Sequence, residues 1–146
     1  MLAALLLPLV LSGLPLHAQD AQLSAVDASG NIYVADSSNG RLRVFAPDGR
    51  ELGGVARGAR AGDLGLPRGL AIDDQGRVYV VDVTAHQVQI YKVLGAGDRQ
   101  PAYVARFGVQ GSGDGAFQYP NGVAVDTHGH VFVTDMANNR VQVWSY

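Results

Sequence analysis

An alternating apolar block closed by an aspartate occurs three times in this chain: Ile32-Tyr-Val-Ala-Asp36, Val78-Tyr-Val-Val-Asp82 and Val131-Phe-Val-Thr-Asp135. An aromatic sits at the same place in each copy (Tyr33, Tyr79, Phe132). Downstream, an aliphatic residue (Leu42, Val88, Val141) and then an aromatic one (Phe45, Tyr91, Trp144) recur in step. Upstream, Asp27, Asp73 and Asp126 each end an apolar run and open a turn that contains Gly30, Gly76 or Gly129. Asp36 and Asp82 lie 46 residues apart, and Asp82 and Asp135 lie 53 apart. The seven extra residues fall between Tyr91 and Pro120, around Gly95 to Arg99, so the strand cores stay in register. A unit that recurs at this period cannot bury its apolar faces alone and must stack on its neighbours.

The third copy, residues 120–144, reads as three short strands at 122–125, 130–134 and 140–144. Asp and Gly in the connections supply the side-chain acceptors and the positive φ that tight hairpins need. The first strand is apolar on both faces, whereas the last alternates, with Val141 and Val143 on one side and Gln142 on the other. A fourth, less regular strand follows in the first two copies, over residues 51–55 and 102–107. Four antiparallel strands per repeat, at a period just above forty, predict an all-β chain built as propeller blades. Nineteen glycines and 47% apolar residues suit short strands joined by many turns.

The residues Pro-x-Gly-Val-Ala-Val-Asp, Gly-x-Val-Tyr-Val-Ala-Asp and Asn-x-Arg-Val-Gln-Val-Phe form the pattern that this chain resembles, that of NHL repeats. Residues 120–144 follow it nearly throughout, and residues 67–91 follow it with Gln87 in place of the Arg. Residues 21–45 follow it from Val26 onward, with Ala21 and Leu23 replacing the Pro and Gly. The loop that precedes a repeat in this family is present at residues 107–120 and, degenerate, at 58–67. The resemblance implies three NHL-type blades at about residues 21–58, 66–109 and 119–146. Such propellers usually close a ring of five or six blades. Three blades leave an open fan with apolar faces exposed at both ends. The chain is therefore expected to be a piece of a longer propeller, or to complete a ring as a homodimer.

Residues 1–18 are almost purely apolar and carry no charged side chain, so they read as a secretory signal with Ala18 last before cleavage. The expected location is secreted or periplasmic. A stable membrane span is not expected, because the run is short and holds Pro8 and Pro15. A net charge of −2 leaves no basic footprint for nucleic acid. The absence of cysteine removes disulfides and thiol nucleophiles.

Function in propellers sits on loops at one end of the channel. By resemblance, that end gathers the loops entering each first strand and those joining second to third strands. It holds Arg68, Asn121, His86, Asn39, Arg41, Asn138, Asn139 and Arg140. Arg41 and Arg140 stand at the repeat's own Arg position and are expected to brace backbone carbonyls. Asp36, Asp82 and Asp135 are expected to accept backbone N–H groups. Nothing in the repeat demands Arg68 or Asn121, which with His86 and Asn139 make the ligand-binding candidates. The segment around His86 resembles the zinc-binding histidine segment of peptidyl-α-hydroxyglycine α-amidating lyase. That enzyme's site takes three histidines from separate blades, plus an Arg and a Tyr that the corresponding loops here do not offer. One imidazole does not hold zinc. His128 and His130 could chelate a metal but are read as a solvated turn. No catalytic residue, metal ligand or cofactor is assigned.

The preferred reading is an exported binding module for a protein, peptide or glycan. The alternative is a metal-dependent lyase or lactonase-like hydrolase. RNA binding, as in tripartite-motif NHL proteins, would want a basic face with aromatics, which the charge does not supply.

Overall fold

The computed structural model describes residues 21–93 and 100–145. The expected signal segment and the insertion near residues 95–99 lie outside them. The first sheet joins β1 (Ala21–Val26), β2 (Ile32–Asp36), β3 (Arg41–Phe45) and β4 (Glu51–Val55) in sequence order. The second repeats that meander with β5 (Pro67–Ile72), β6 (Arg77–Asp82), β7 (Gln87–Val93) and β8 (Pro101–Phe107). A short parallel pair, β9 (Val109–Gln110) and β10 (Ala116–Phe117), precedes the third sheet of β11 (Pro120–Val125), β12 (His130–Asp135) and β13 (Arg140–Ser145). All pairings within the three sheets are antiparallel.

Each sheet is a blade, and the first strand of each lies innermost, with β5 packed against both β1 and β11. Alternation along a strand then decides which blade a side chain serves. Val78 and Val80 of β6 face blade 1, where they meet Tyr33, Leu42, Val44 and Val55. Tyr79 and Val81 of the same strand face blade 3, where they meet Val131 and Val133. Leu64 and Phe117, at matching places in the loops that enter blades 2 and 3, are fully buried wedges in these two cores. Those loops also carry the parallel pairing that strand periodicity did not reveal, at Arg57 with Leu64 and again at β9 with β10.

The aspartates hold the copies together as expected. Asp27, Asp73 and Asp126 each accept two backbone N–H groups of their own hairpin turn through one oxygen. Asp82, buried, accepts the N–H groups of Gly65, Leu66 and Ala85 and the Thr84 hydroxyl, and so ties the entering loop to the next turn. Asp135 does the same with the N–H of Gln118 at 2.6 Å.

The ring is not closed among the described residues. The outward face of blade 3 is exposed at Phe132 (37%), Val141 (57%) and Val143 (57%), which correspond to the buried Tyr79, Val88 and Ile90. Blade 1 meets the matching expectation in part, since Leu23 (47%) and Val26 (61%) of β1 are exposed. Val34 and Phe45 are buried there, and Arg43 lies with its guanidinium 4.7 Å over the Phe45 ring, held by two hydrogen bonds to Glu51. A planar guanidinium over an aromatic ring is a favourable stacking contact.

Candidate functional site

One end of the blades gathers the loops that enter the inner strands and the turns between second and third strands. Val83 donates its N–H to Leu66 carbonyl oxygen, and Ala137 donates to Gln118, each linking an entering loop to the next turn. The inner strands begin with a bulge. In β5 the register passes from Pro67 opposite Asp82 directly to Leu70 opposite Val80, so Arg68 and Gly69 stand out of the ladder. Asn121 and Gly122 occupy the same bulge in β11. Gly69 is needed there by contact alone, since a Cβ on it would fall 2.7 Å from the Asn121 carbonyl oxygen.

The two bulges face each other, and Arg68 Nη1 donates to Asn121 Oδ1 at a long 3.4 Å. Arg68 Nε is buried without a hydrogen-bond partner. A guanidinium donor out of water and without an acceptor costs free energy, of order 1–3 kcal/mol. Around it, the sequence candidates separate into two kinds. His86 is buried at the end of the β6–β7 turn. Its Nδ1 accepts the Tyr119 N–H at 3.2 Å, and its ring lies 5.0 Å from the Tyr119 ring. A neutral imidazole that accepts at Nδ1 carries its proton on Nε2. His86 therefore links blade 2 to the loop entering blade 3. Asn139 is exposed, and its backbone N–H caps a 3-10 turn over Met136–Asn138.

His86 and Asn139 share a backbone requirement. Both have positive φ (55° and 50°), and Gly40 holds the same position of the first repeat at 65°. Gly, Asn and His are among the residues that enter this region most readily. Part of what singled out these two residues in the sequence is thus turn geometry. Arg41 and Asn39 donate to the Asp36 carboxylate, so Arg41 braces a side chain where a backbone carbonyl was expected. Arg140 binds Asp135, Gly113 O and Ala116 O, and Asn138 binds Asp135 and Gly111 O.

Tyr119 is the residue that sequence reading passed over. It is 47% exposed and has φ 53°, an uncommon conformation for a bulky side chain. It sits two residues before Asn121, so an aromatic ring, an amide and a guanidinium share the rim. Its position just before the Pro of the repeat was the available signal.

A polar cleft of about 290 Å³ opens beside this end in blade 2, lined in part by Asp63, Asp82, Gln87 and Gln89. Its origin is the departure of Gln87 from the repeat. In blade 3, Arg140 fills the corresponding space, with Nη2 at 2.6 and 2.8 Å from two loop carbonyls. The shared Gln contact is kept in both blades, Gln89 to Asp63 O and Gln142 to Ala116 O, each at 2.7 Å.

The NHL repeat model matches residues 25–45, 64–91 and 117–144, more than half of the chain. This protein belongs to the NHL repeat family. Each matched repeat falls within the first three strands of one sheet and the loop that enters it. The chain is 31% identical over 125 residues to "Protein brain tumor" of Drosophila melanogaster, covering 82% of this chain and 11% of that protein. It is 35% identical over 82 residues to "Probable peptidyl-alpha-hydroxyglycine alpha-amidating lyase pgal-1" of Caenorhabditis elegans, covering 56% of this chain and 23% of that one. It therefore spans a small part of the relatives it matches. Among solved structures, the β-propeller domain of Cps50 (Swd1) from Myceliophteria thermophila superposes with a TM-score of 0.60 at 12% identity, over 85% of this chain and 40% of that one. This likeness concerns the propeller fold.

Proposed function

We propose that these NHL blades form a recognition module whose ligand meets the rim built by Arg68, Tyr119 and Asn121. The observation that carries this reading is the Arg68 guanidinium, with a buried donor lacking an acceptor and only one long bond to Asn121. A carboxylate presented in bidentate fashion meets such a fork best. The exposed Tyr119 ring at the same end of the blades offers low-entropy contact area for a peptide or sugar. The expected ligand class is a peptide or glycan bearing an anionic group, and the apolar N-terminal run supports export as the route to it.

A peptide array displaying free C-terminal carboxylates, together with a glycan array bearing uronic and sialic acids, tests this reading. Binders are expected to lose at least about tenfold in affinity with Arg68→Ala and less with Arg68→Lys, which keeps charge without the fork. The exposed Arg60→Ala serves as the control. Equal loss from both variants, or none from Arg68→Ala, would overturn it.

The second reading, a lyase or hydrolase with a metal in the channel, draws support from the amidating-lyase relative. At this end His86 is the sole histidine among the described residues, and its Nδ1 already accepts the Tyr119 N–H. Further ligands would have to come from other blades. Zinc-dependent turnover of a peptidyl-α-hydroxyglycine would favour the enzyme.

A further inference from the structure

We propose that the hairpin turn between β11 and β12, at the opposite end of blade 3 from the rim, binds a borderline divalent transition-metal ion such as Zn²⁺ through Asp126, His128 and His130. The ligand atoms of these three residues lie within 4.8 Å of one another. The turn itself gathers them. Asp126 Oδ1 accepts the backbone N–H of both histidines at 2.8 Å, which leaves Oδ2 turned toward the two rings. Oδ2 lies 2.7 Å from His130 Nδ1 and 3.7 Å from His128 Nδ1. Tetrahedral zinc with bonds of about 2.0–2.1 Å needs ligand atoms roughly 3.3 Å apart, between those two separations. Small ring rotations therefore complete three corners of a coordination sphere. The remaining corner is left to water or a donor from another molecule.

Comparison with the other blades separates what the turn needs from what has been added. In blade 1, Asp27 Oδ2 meets Asn31 Nδ2 and the Tyr33 hydroxyl. In blade 2, Asp73 Oδ2 meets Arg77 Nε and the Tyr79 hydroxyl. Blade 3 has Phe132 where those tyrosines stand, so the second carboxylate oxygen receives no hydroxyl. His130 replaces Asn31 and Arg77, and His128 replaces Ser29 and Gln75. The backbone bonds of the turn form in all three blades, so the turn does not require histidine at either place. Blade 3 alone combines a carboxylate oxygen spared from the core with two imidazoles beside it. Two imidazoles and one carboxylate suit Zn²⁺, Ni²⁺ or Cu²⁺ and not the oxygen-seeking Mg²⁺ or Ca²⁺.

Isothermal titration of the untagged chain with zinc chloride, in a buffer that does not chelate, tests the site. One equivalent is expected to bind with micromolar affinity, and His128→Ala and His130→Ala are each expected to weaken it at least about tenfold. His128→Ala is the decisive variant, because its ring is 80% exposed and only its backbone N–H serves the turn, so the fold is retained. Cobalt should show the intense visible bands of a low-coordinate centre, lost in the same variants. Binding of wild-type strength in His128→Ala, or no binding to the native chain, would overturn the proposal.

Discussion

At the residue scale, one backbone conformation explains an otherwise uneven choice of side chains. Gly40, His86 and Asn139 stand four residues after the buried aspartates, and all three have φ between 50° and 65°. Asn139→Ala should cost about 1–2 kcal/mol, the penalty for a Cβ in the left-handed region, whereas Asn139→Gly should cost little. Chemical denaturation of the two variants checks this. The turn aspartates make a second prediction. Burial raises the Asp73 carboxyl, but hydrogen bonds from Arg77 and Tyr79 outweigh that and leave it below the ordinary value. The His130 hydrogen bond lowers Asp126 to about 2. A depressed folded-state value means that the folded chain binds fewer protons. The stabilisation is therefore complete above the ordinary carboxylate value of 3.8 and is lost as pH falls through the depressed ones. Denaturation midpoints should fall steeply below pH ~4, and Asp73→Asn should flatten that fall while lowering stability at neutral pH.

At the scale of elements, the difference between blades 2 and 3 comes down to one side chain at the start of the third strand. Arg140 braces Asp135 and two loop carbonyls, whereas Gln87 leaves the corresponding cleft open. Gln87→Arg should stabilise by about 1 kcal/mol, seen as a rise of a few degrees in Tm. An unchanged or lower Tm would mean that Arg60 and Arg106 near the cleft already repel a third cation. Close approach of the inner strands sets the opposite limit. Gly69→Ala would press a Cβ onto the Asn121 carbonyl and should cost about 1–3 kcal/mol. It should also widen the rim, so the Arg68–Asn121 contact would be lost along with stability.

For the molecule as a whole, the outer face of blade 3 is the conspicuous exposed surface. Phe132, Val141 and Val143 repeat the positions that the next blade's valines cover in blades 1 and 2. Contiguous apolar surface of this kind drives association. Val141→Lys with Val143→Lys should lower the apparent mass in concentration-dependent light scattering and leave the β-type circular dichroism unchanged. An unaltered mass would show that this face does not mediate self-association.

Most of the fold was legible because its causes are local. The period-two alternation of Val78 to Val81, the turn chemistry of Asp73 and Gly76 and the copying of both along the chain need only neighbouring residues to act. The site was legible only in part. Asp82 and Arg140 could be assigned as braces because the repeat shows what they hold. Arg68 and Asn121 could be named as candidates, but their contact joins residues 53 apart in sequence. Tyr119 was missed because its place against His86 joins residues 33 apart in sequence.

The sequence alone thus determined three copies of one antiparallel unit, since strand period, turn residues and capping aspartates act within a few residues of one another. Tertiary packing decided which faces of those units are covered, where Gln87 leaves a cleft and which side chains meet at the rim. Those outcomes depend on the spacing between inner strands, set by how the sheets' buried side chains interlock, and no spacing along the chain encodes that distance.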